Sequence, residues 1–153
     1  MIEENIENIE DDILKDEVLK GEVIKEEVIK DEGNLNFKEL KVWNRAVEWV
    51  RDVILMVEKL QTERKHFRLI EQLESAVTSV SMNISEGKGR YSKKEFIHFL
   101  YIASGSAYET ITLLNIFESL NWISKETLTK FENEGTEIVR MINRMVRKIG
   151  YSS

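Results

Sequence analysis

Residues with side chains suited to acid–base or metal chemistry are few and widely spaced in this 153-residue sequence. Its two histidines, His66 and His98, lie far apart, and neither belongs to an HExxH arrangement. On a helix, His98 and Glu109 would share a side but lie roughly 16 Å apart along the axis, too far to bind one metal ion. The absence of cysteine excludes thiolate chemistry and cysteine-ligated metals. The sequence therefore predicts no enzyme, no catalytic residue, no metal site and no cofactor.

Small polar residues recur every three or four positions between Gln72 and Glu86, which places them on one helix face. Buried polar groups need hydrogen-bond partners, so we predict a structural network that fixes the register of two helices. Paired-carboxylate chemistry would need a second acid nearby, and the sequence does not identify one. The predicted network consists of Asn83, Glu86, Ser104, Tyr108 and Glu109.

Apolar residues three or four positions apart predict four helices, and the absence of proline agrees with a nearly all-helical chain. The first helix is expected to begin near Asn36, with Glu39 completing a capping box. The second is expected to run from about Glu63 to Glu86, with Gly87 as its C-terminal stop. The predicted buried face of the first helix consists of Leu40, Trp43, Val47, Val50, Ile54, Val57 and Leu60.

The third predicted helix begins at Ser92, where Glu95 completes a capping box and Tyr91 would contact Phe96 as a hydrophobic staple. It extends to about Asn121, and the fourth helix begins at Ser124. Short connections favour antiparallel neighbours. We therefore predict an all-α, antiparallel up-down four-helix bundle.

The third helix is apolar on two sides, whereas a helix in a four-helix monomer needs only one buried face. We interpret the second side as an interface between subunits. Tight packing within one subunit is the alternative explanation. The predicted interface residues are Ile102, Gly105, Leu113 and Ile116.

Cationic residues are predicted to converge on one end of the bundle, where the first and third helices start and the second and fourth helices end. Arg45 and Arg140 belong to the same regions. Cations beside the free N–H groups of a helix start favour phosphate binding, and ordinary surface charge is the alternative. The candidate nucleic-acid-binding residues are Lys38, Lys41, Lys88, Arg90, Lys93, Lys94, Arg144, Arg147 and Lys148.

The net charge of −6 is unevenly distributed along the chain. Residues 1–34 carry 13 acidic and four basic side chains, a net charge of −9, and the remainder carries a net charge of +3. A five-residue repeat within 13–30 forms no continuous apolar stripe in a helix or a strand. We predict that residues 1–34 are an acidic, repetitive extension, disordered or partly helical, and that the bundle spans 35–153. The extension either remains solvated or competes with nucleic acid for the cationic end.

The sequence begins without the basic and apolar segments of a signal peptide, and no apolar run reaches the length of a membrane span. A cytoplasmic protein with no membrane partner is therefore expected.

Two stretches of the chain carry a more specific pattern. FKELKVWNRAVEWV at 37–50 and SVSMNISEGKGRYSKKEFIHFLYIASGSAYE at 79–109 resemble the 23S rRNA intervening-sequence proteins, a bacterial family of four-helix bundles. The resemblance extends from Phe37 to about Ile123, and it implies an antiparallel bundle assembled as a ring, a homopentamer. The family that this chain resembles is related to the accessory variability proteins of diversity-generating retroelements. This relation implies a reverse transcriptase and nucleic acid as partners. The matching residues are Asn83, Ile84, Glu86, Gly87, Gly89, Arg90, Lys94, Glu95, Phe96, Phe99, Leu100, Gly105, Ser106 and Glu109.

These observations predict a non-enzymatic, homo-oligomeric scaffold, a homopentamer by resemblance, that binds RNA or DNA at its basic end. The alternative is a protein–protein interaction module that binds no nucleic acid. Salt dependence distinguishes the two, because phosphate contacts release counterions and an apolar protein interface does not.

Overall fold

The computed structural model describes residues 35–62 and 66–152, and all regular structure in these two ranges is helical. A short 3-10 helix, Asn36–Glu39, precedes four α-helices. The predicted all-α four-helix fold is confirmed. The helices are Lys41–Glu58 (α1), Phe67–Lys88 (α2), Lys93–Ser119 (α3) and Lys125–Tyr151 (α4).

Residues Phe37–Ser153 form one unit, which contains all four helices. The predicted acidic extension at 1–34 lies outside the described residues, and so does the predicted start of the second helix at Glu63. The boundary between extension and bundle, and any competition by the extension at the cationic end, stay predictions.

Helix α1 begins at Lys41, later than the predicted start near Asn36. The 3-10 turn occupies the predicted first turn, and Leu40 takes the N-cap position without a side-chain cap. The side-chain amide of Asn44 donates to the backbone oxygens of Lys38, at 2.7 Å, and of Leu40, at 3.1 Å. A side chain inside the helix therefore holds the turn that precedes it.

The core-facing side of α1 is wider than predicted and centred elsewhere. Six of the seven predicted residues contact the core, Val57 as a buried residue and Leu40, Trp43, Val50, Ile54 and Leu60 as partly buried ones. Val47 is 38% exposed, whereas the ring of Trp49 is fully buried beside Gly135 of α4. A Cβ atom at Gly135 would lie 2.8 Å from one ring carbon of Trp49. Glycine at this position thus allows α4 to approach the indole closely. The buried residues of α1 are Val42, Ala46, Trp49, Val53 and Val57.

Gly87 lies inside α2 and does not end the helix, contrary to the prediction. A Cβ atom there would lie 2.7 Å from the Cβ atom of Phe99 and 2.9 Å from a ring carbon of Phe96. The helix continues to Lys88, and the C-cap residue Gly89 has φ −77°, which is a right-handed conformation. Gly87 is therefore required by the close approach of α2 to α3, not by a left-handed turn.

Gly87→Ala should lower the free energy of unfolding by about 1–3 kcal/mol, because the Cβ atom of Phe99 cannot rotate away from an added methyl group. Gly89→Ala is the matched control, since its new Cβ atom would meet nothing closer than 3.4 Å. Its free energy of unfolding should change by less than about 0.5 kcal/mol. Urea denaturation measures both, and equal stability of the two variants would contradict the close approach at Gly87.

The connection between α3 and α4 contains the left-handed residue Asn121, with φ 58°. The N–H group of Trp122 donates to the carbonyl of Phe117 at 2.9 Å, which closes the end of α3 in a Schellman-type arrangement. Ser124 then caps α4 by accepting the N–H group of Thr127 at 3.1 Å. The predicted start of the fourth helix is confirmed.

Candidate nucleic-acid interface

The starts of α1 and α3 and the ends of α2 and α4 lie at one end of the bundle. The hydroxyl groups of Ser79 and Ser106, 2.9 Å apart, join α2 to α3, and the close approach at Gly87 joins the end of α2 to the start of α3. The ammonium group of Lys93 donates to the backbone oxygen of Ser152, which joins the start of α3 to the residue that follows α4. Antiparallel packing therefore brings together the segments that carry the predicted cationic residues.

We use the name basic end for the surface formed by the nine predicted cationic residues. Eight of their side chains are exposed, and Lys88 is half-buried. Each of the four helices, or a residue directly beside it, contributes to this surface. The nine residues are Lys38, Lys41, Lys88, Arg90, Lys93, Lys94, Arg144, Arg147 and Lys148.

Two cations of the basic end have polar or ionic partners within the chain. Arg90 forms an ion pair with Glu86, and its guanidinium carbon lies 4.7 Å from the centre of the Phe99 ring. Lys93 is bound to the backbone oxygen of Ser152. For the other seven, the described part of the chain offers no carboxylate oxygen within 4.0 Å. Most of this positive charge is therefore directed to solvent.

Arg45, also expected near this end, is neutralised by acidic side chains. Its guanidinium nitrogens lie 3.0 Å from Glu137, 3.5 Å from Glu48 and 3.8 Å from Glu134. Glu134 is only 13% exposed, so this carboxylate cannot turn freely to solvent. Arg45 consequently joins α1 to α4 and does not contribute free charge to the basic end.

The start of α3 combines cationic side chains with a helix cap. The Ser92 hydroxyl accepts the N–H group of Glu95 at 3.1 Å, which confirms the predicted cap. Lys93 and Lys94 are the first two residues of the helix, where positive charge opposes the helix dipole. The predicted staple is wrong, because Tyr91 is completely exposed.

The five residues of the predicted polar network do not form one hydrogen-bonded cluster. Asn83 donates to the backbone oxygen and the hydroxyl of Ser79, at 2.7 and 2.9 Å, while Glu86 pairs with Arg90. Glu109 accepts from Gln72 at 3.4 Å. Of the other two members, Ser104 is buried and Tyr108 is 61% exposed.

Sequence reasoning did not identify Ser106 as the residue of α3 that pairs with the polar stripe of α2. Ser106 also donates to the carbonyl of Ile102 at 3.1 Å, one turn earlier in α3. Its position inside the run ASGSA was the available signal. The Ser79–Ser106 contact fixes the register of α2 and α3, the role that we predicted for a larger network.

Three of the four predicted interface residues lie on the surface of α3. Ile102 and Ile116 are 39% and 37% exposed, and a Cβ atom added at Gly105 would meet nothing within 4 Å. Leu113 is only 3% exposed and belongs to the core of the subunit, so its assignment to an interface is corrected. We define the outer face of α3 by Ile102, Gly105, Ile116 and Leu120, the last of which is 45% exposed.

The two histidines have separate environments. The ring of His66 lies 5.0 Å from that of Trp122, and His98 is exposed beside Phe99. Within residues 35–62 and 66–152, no three potential metal ligands converge. No helix in the described part of the chain has the length and apolar character needed to cross a membrane.

The described residues therefore define a small all-α bundle with a cationic end and an exposed apolar stripe on α3. Residues 38–144 match the family model of the 23S rRNA-intervening sequence protein, and the chain belongs to this family. The chain is similar in structure to a Bacteroides thetaiotaomicron protein of unknown function that belongs to the S23 ribosomal protein family, whose crystal structure is known. That similarity has 27% identity, a TM-score of 0.64, and covers 69% of this chain and 97% of the other. No protein of curated function matches the chain.

Proposed function

We propose that the protein is a non-enzymatic, homo-oligomeric helical scaffold that binds RNA or DNA through its basic end. The observation that carries this proposal is the convergence of nine cations from all four helices, eight of them without a carboxylate partner in the described chain. Phosphates would replace the solvent and counterions around these groups, and the released counterions would favour binding.

The concave surface at the other end of the bundle supports a non-enzymatic role. A groove of about 520 Å³ opens there, between the end of α1 and the start of α4. Among the described residues, its charged side chains are Asp52, Lys59 and Lys130, and none of its described lining residues is histidine. The hydroxyl of Ser124, which also lines it, is engaged in capping α4. The described lining of the groove thus lacks an activated nucleophile with its base.

The outer face of α3 supports self-association. Isolated exposed apolar residues are common on protein surfaces, but Ile102, Ile116 and Leu120 form one stripe with the small residue Gly105 between them. A second helix can approach closely where no side chain projects. We propose a ring of subunits, a homopentamer as the family resemblance implies, in the cytoplasm of a bacterial cell.

A protein-interaction module without nucleic-acid binding is the second candidate. The same outer face of α3 would then bind a different protein, and the resemblance to accessory variability proteins favours a reverse transcriptase as that partner. An apolar interface of this kind would be nearly independent of salt. The salt dependence of binding therefore separates the two candidates.

The proposed nucleic-acid binding should weaken steeply with salt. For four neutralised phosphates on a single strand, the association constant should fall about 50-fold between about 50 and 200 mM salt. Fluorescence anisotropy of labelled RNA and DNA oligonucleotides with the full-length protein measures this slope. Binding that is absent, or that does not change with salt, would contradict the proposal.

A further inference from the structure

A completely exposed tyrosine lies in the connection between α2 and α3, within the basic end. Tyr91 has a relative exposure of 107%, and it follows Arg90 and precedes Lys93 by two residues. The neighbouring pattern would have placed its ring against Phe96, but Phe96 packs at Gly87 instead. The ring of Tyr91 therefore contributes nothing to the core and is available to a ligand on both faces.

A second exposed tyrosine lies at the end of α4. Tyr151 is the last residue of α4 and is 72% exposed. The next residue, Ser152, accepts the hydrogen bond from Lys93. Tyr91 and Tyr151 thus lie within two residues of the opposite ends of one hydrogen bond, which places both positions at the basic end.

We infer that the basic end binds single-stranded nucleic acid in preference to duplex, with unpaired bases stacked on Tyr91 and Tyr151. This inference rests on the proposed nucleic-acid binding and specifies its ligand. Aromatic rings among cations are suited to single strands, because every base offers a π-face while the cations follow the phosphates. Bases inside a duplex are stacked on each other and cannot reach a protein ring without being unpaired.

Another tyrosine of the same protein provides a matched control. Tyr108 is 61% exposed, similar to Tyr151, but it projects from the middle of α3. It lies roughly 22 Å along the helix axis from Lys93. Replacing it removes the same side chain at a distance from the start of α3. Stacking at the basic end should depend on Tyr91 and Tyr151 and not on Tyr108.

The test uses full-length protein and fluorescence anisotropy with labelled single-stranded RNA, single-stranded DNA and duplex RNA, each of about 12 nucleotides per strand. Tyr91→Ala and Tyr151→Ala should each weaken single-strand binding about fivefold or more. The salt slope should stay the same, because no charge is removed, and duplex affinity should change less than about twofold. Tyr91→Phe should retain binding, since the stacking ring remains.

Equal losses on RNA and DNA would support stacking, because it does not use the 2′-hydroxyl. Alanine variants that bind both single strands like the unchanged protein would overturn the inference, and so would tighter binding to duplex RNA. If duplex RNA binds more tightly and its binding depends on salt, the proposed nucleic-acid binding is still supported and only the preference for single strands is rejected. Failure to bind all three probes would reject the inference and the proposed function together. As a control, circular dichroism of each variant should show the same helical content as the unchanged protein.

Discussion

Reversing two charges at the basic end, Lys94→Glu together with Arg147→Glu, should weaken nucleic-acid binding about 100-fold at about 50 mM salt. Each lost phosphate contact removes the release of roughly one counterion, which is worth about tenfold in affinity at that salt concentration. Each new carboxylate also repels phosphates. The slope of log affinity against log salt should become shallower by about two units. Anisotropy titrations over a salt series measure both quantities.

Lys94 and Arg147 suit this test because both are exposed and neither has an intramolecular partner of the kind that Lys93 has in Ser152. The control is Lys59→Glu together with Lys125→Glu. These exposed lysines follow α1 and begin α4, at the opposite end of the bundle. The two double variants have the same net charge, and the control should lose less than about threefold. Equal losses would show that net charge, and not the basic end, determines binding.

The second large effect is expected from Gly105→Leu, which should separate the oligomer into subunits of 18.0 kDa. In the proposed oligomer, a leucine side chain would occupy the space into which a second helix would pack, at a cost of about 1–3 kcal/mol at each contact. Light scattering at micromolar concentration should show several times the chain mass for the unchanged protein and a much lower mass for the variant. A monomeric unchanged protein would exclude the proposed self-association.

The stability of the Gly105 variant distinguishes loss of assembly from loss of folding. Because a Cβ atom at Gly105 meets nothing within 4 Å inside the subunit, the isolated bundle should tolerate leucine. Leucine should even stabilise the helix by a few tenths to about 1 kcal/mol relative to glycine. Gly150→Leu is the control, since Gly150 is equally unobstructed but lies at the end of α4. That variant should keep the mass of the unchanged protein.

The helix starts at Ser92 and Ser124 could be predicted because capping depends on residues only three positions apart. Most of the predicted core-facing residues of α1 do contact the core, but the centre of its buried face could not be predicted, because two stripes with helical spacing overlap in the same segment. One contains Val47 and the other contains Trp49. The choice depends on the space that Gly135 leaves for the indole in α4, and no local pattern in α1 contains that information.

The location of the basic end could be predicted because antiparallel packing alone determines which helix ends meet. Which cations remain free could not, since the pairing of Arg45 with Glu134 and Glu137 depends on the register of α1 and α4. Tyr91 illustrates the same limit. The staple pattern is local, but the close approach of α2 at Gly87 determines where Phe96 packs.

The free cations are clustered at one pole of the bundle, so its electrostatic field is asymmetric along the helix axes. Helix α3 has 27 residues and is about 40 Å long, several times the distance over which salt screens charge at physiological ionic strength. A polyanion that approaches the opposite pole experiences little of this positive field. In the proposed complex, encounters would therefore be steered and oriented before contact, and the cations would mainly govern the association rate. The two exposed rings, which act only at contact distance, would govern how long the complex lasts.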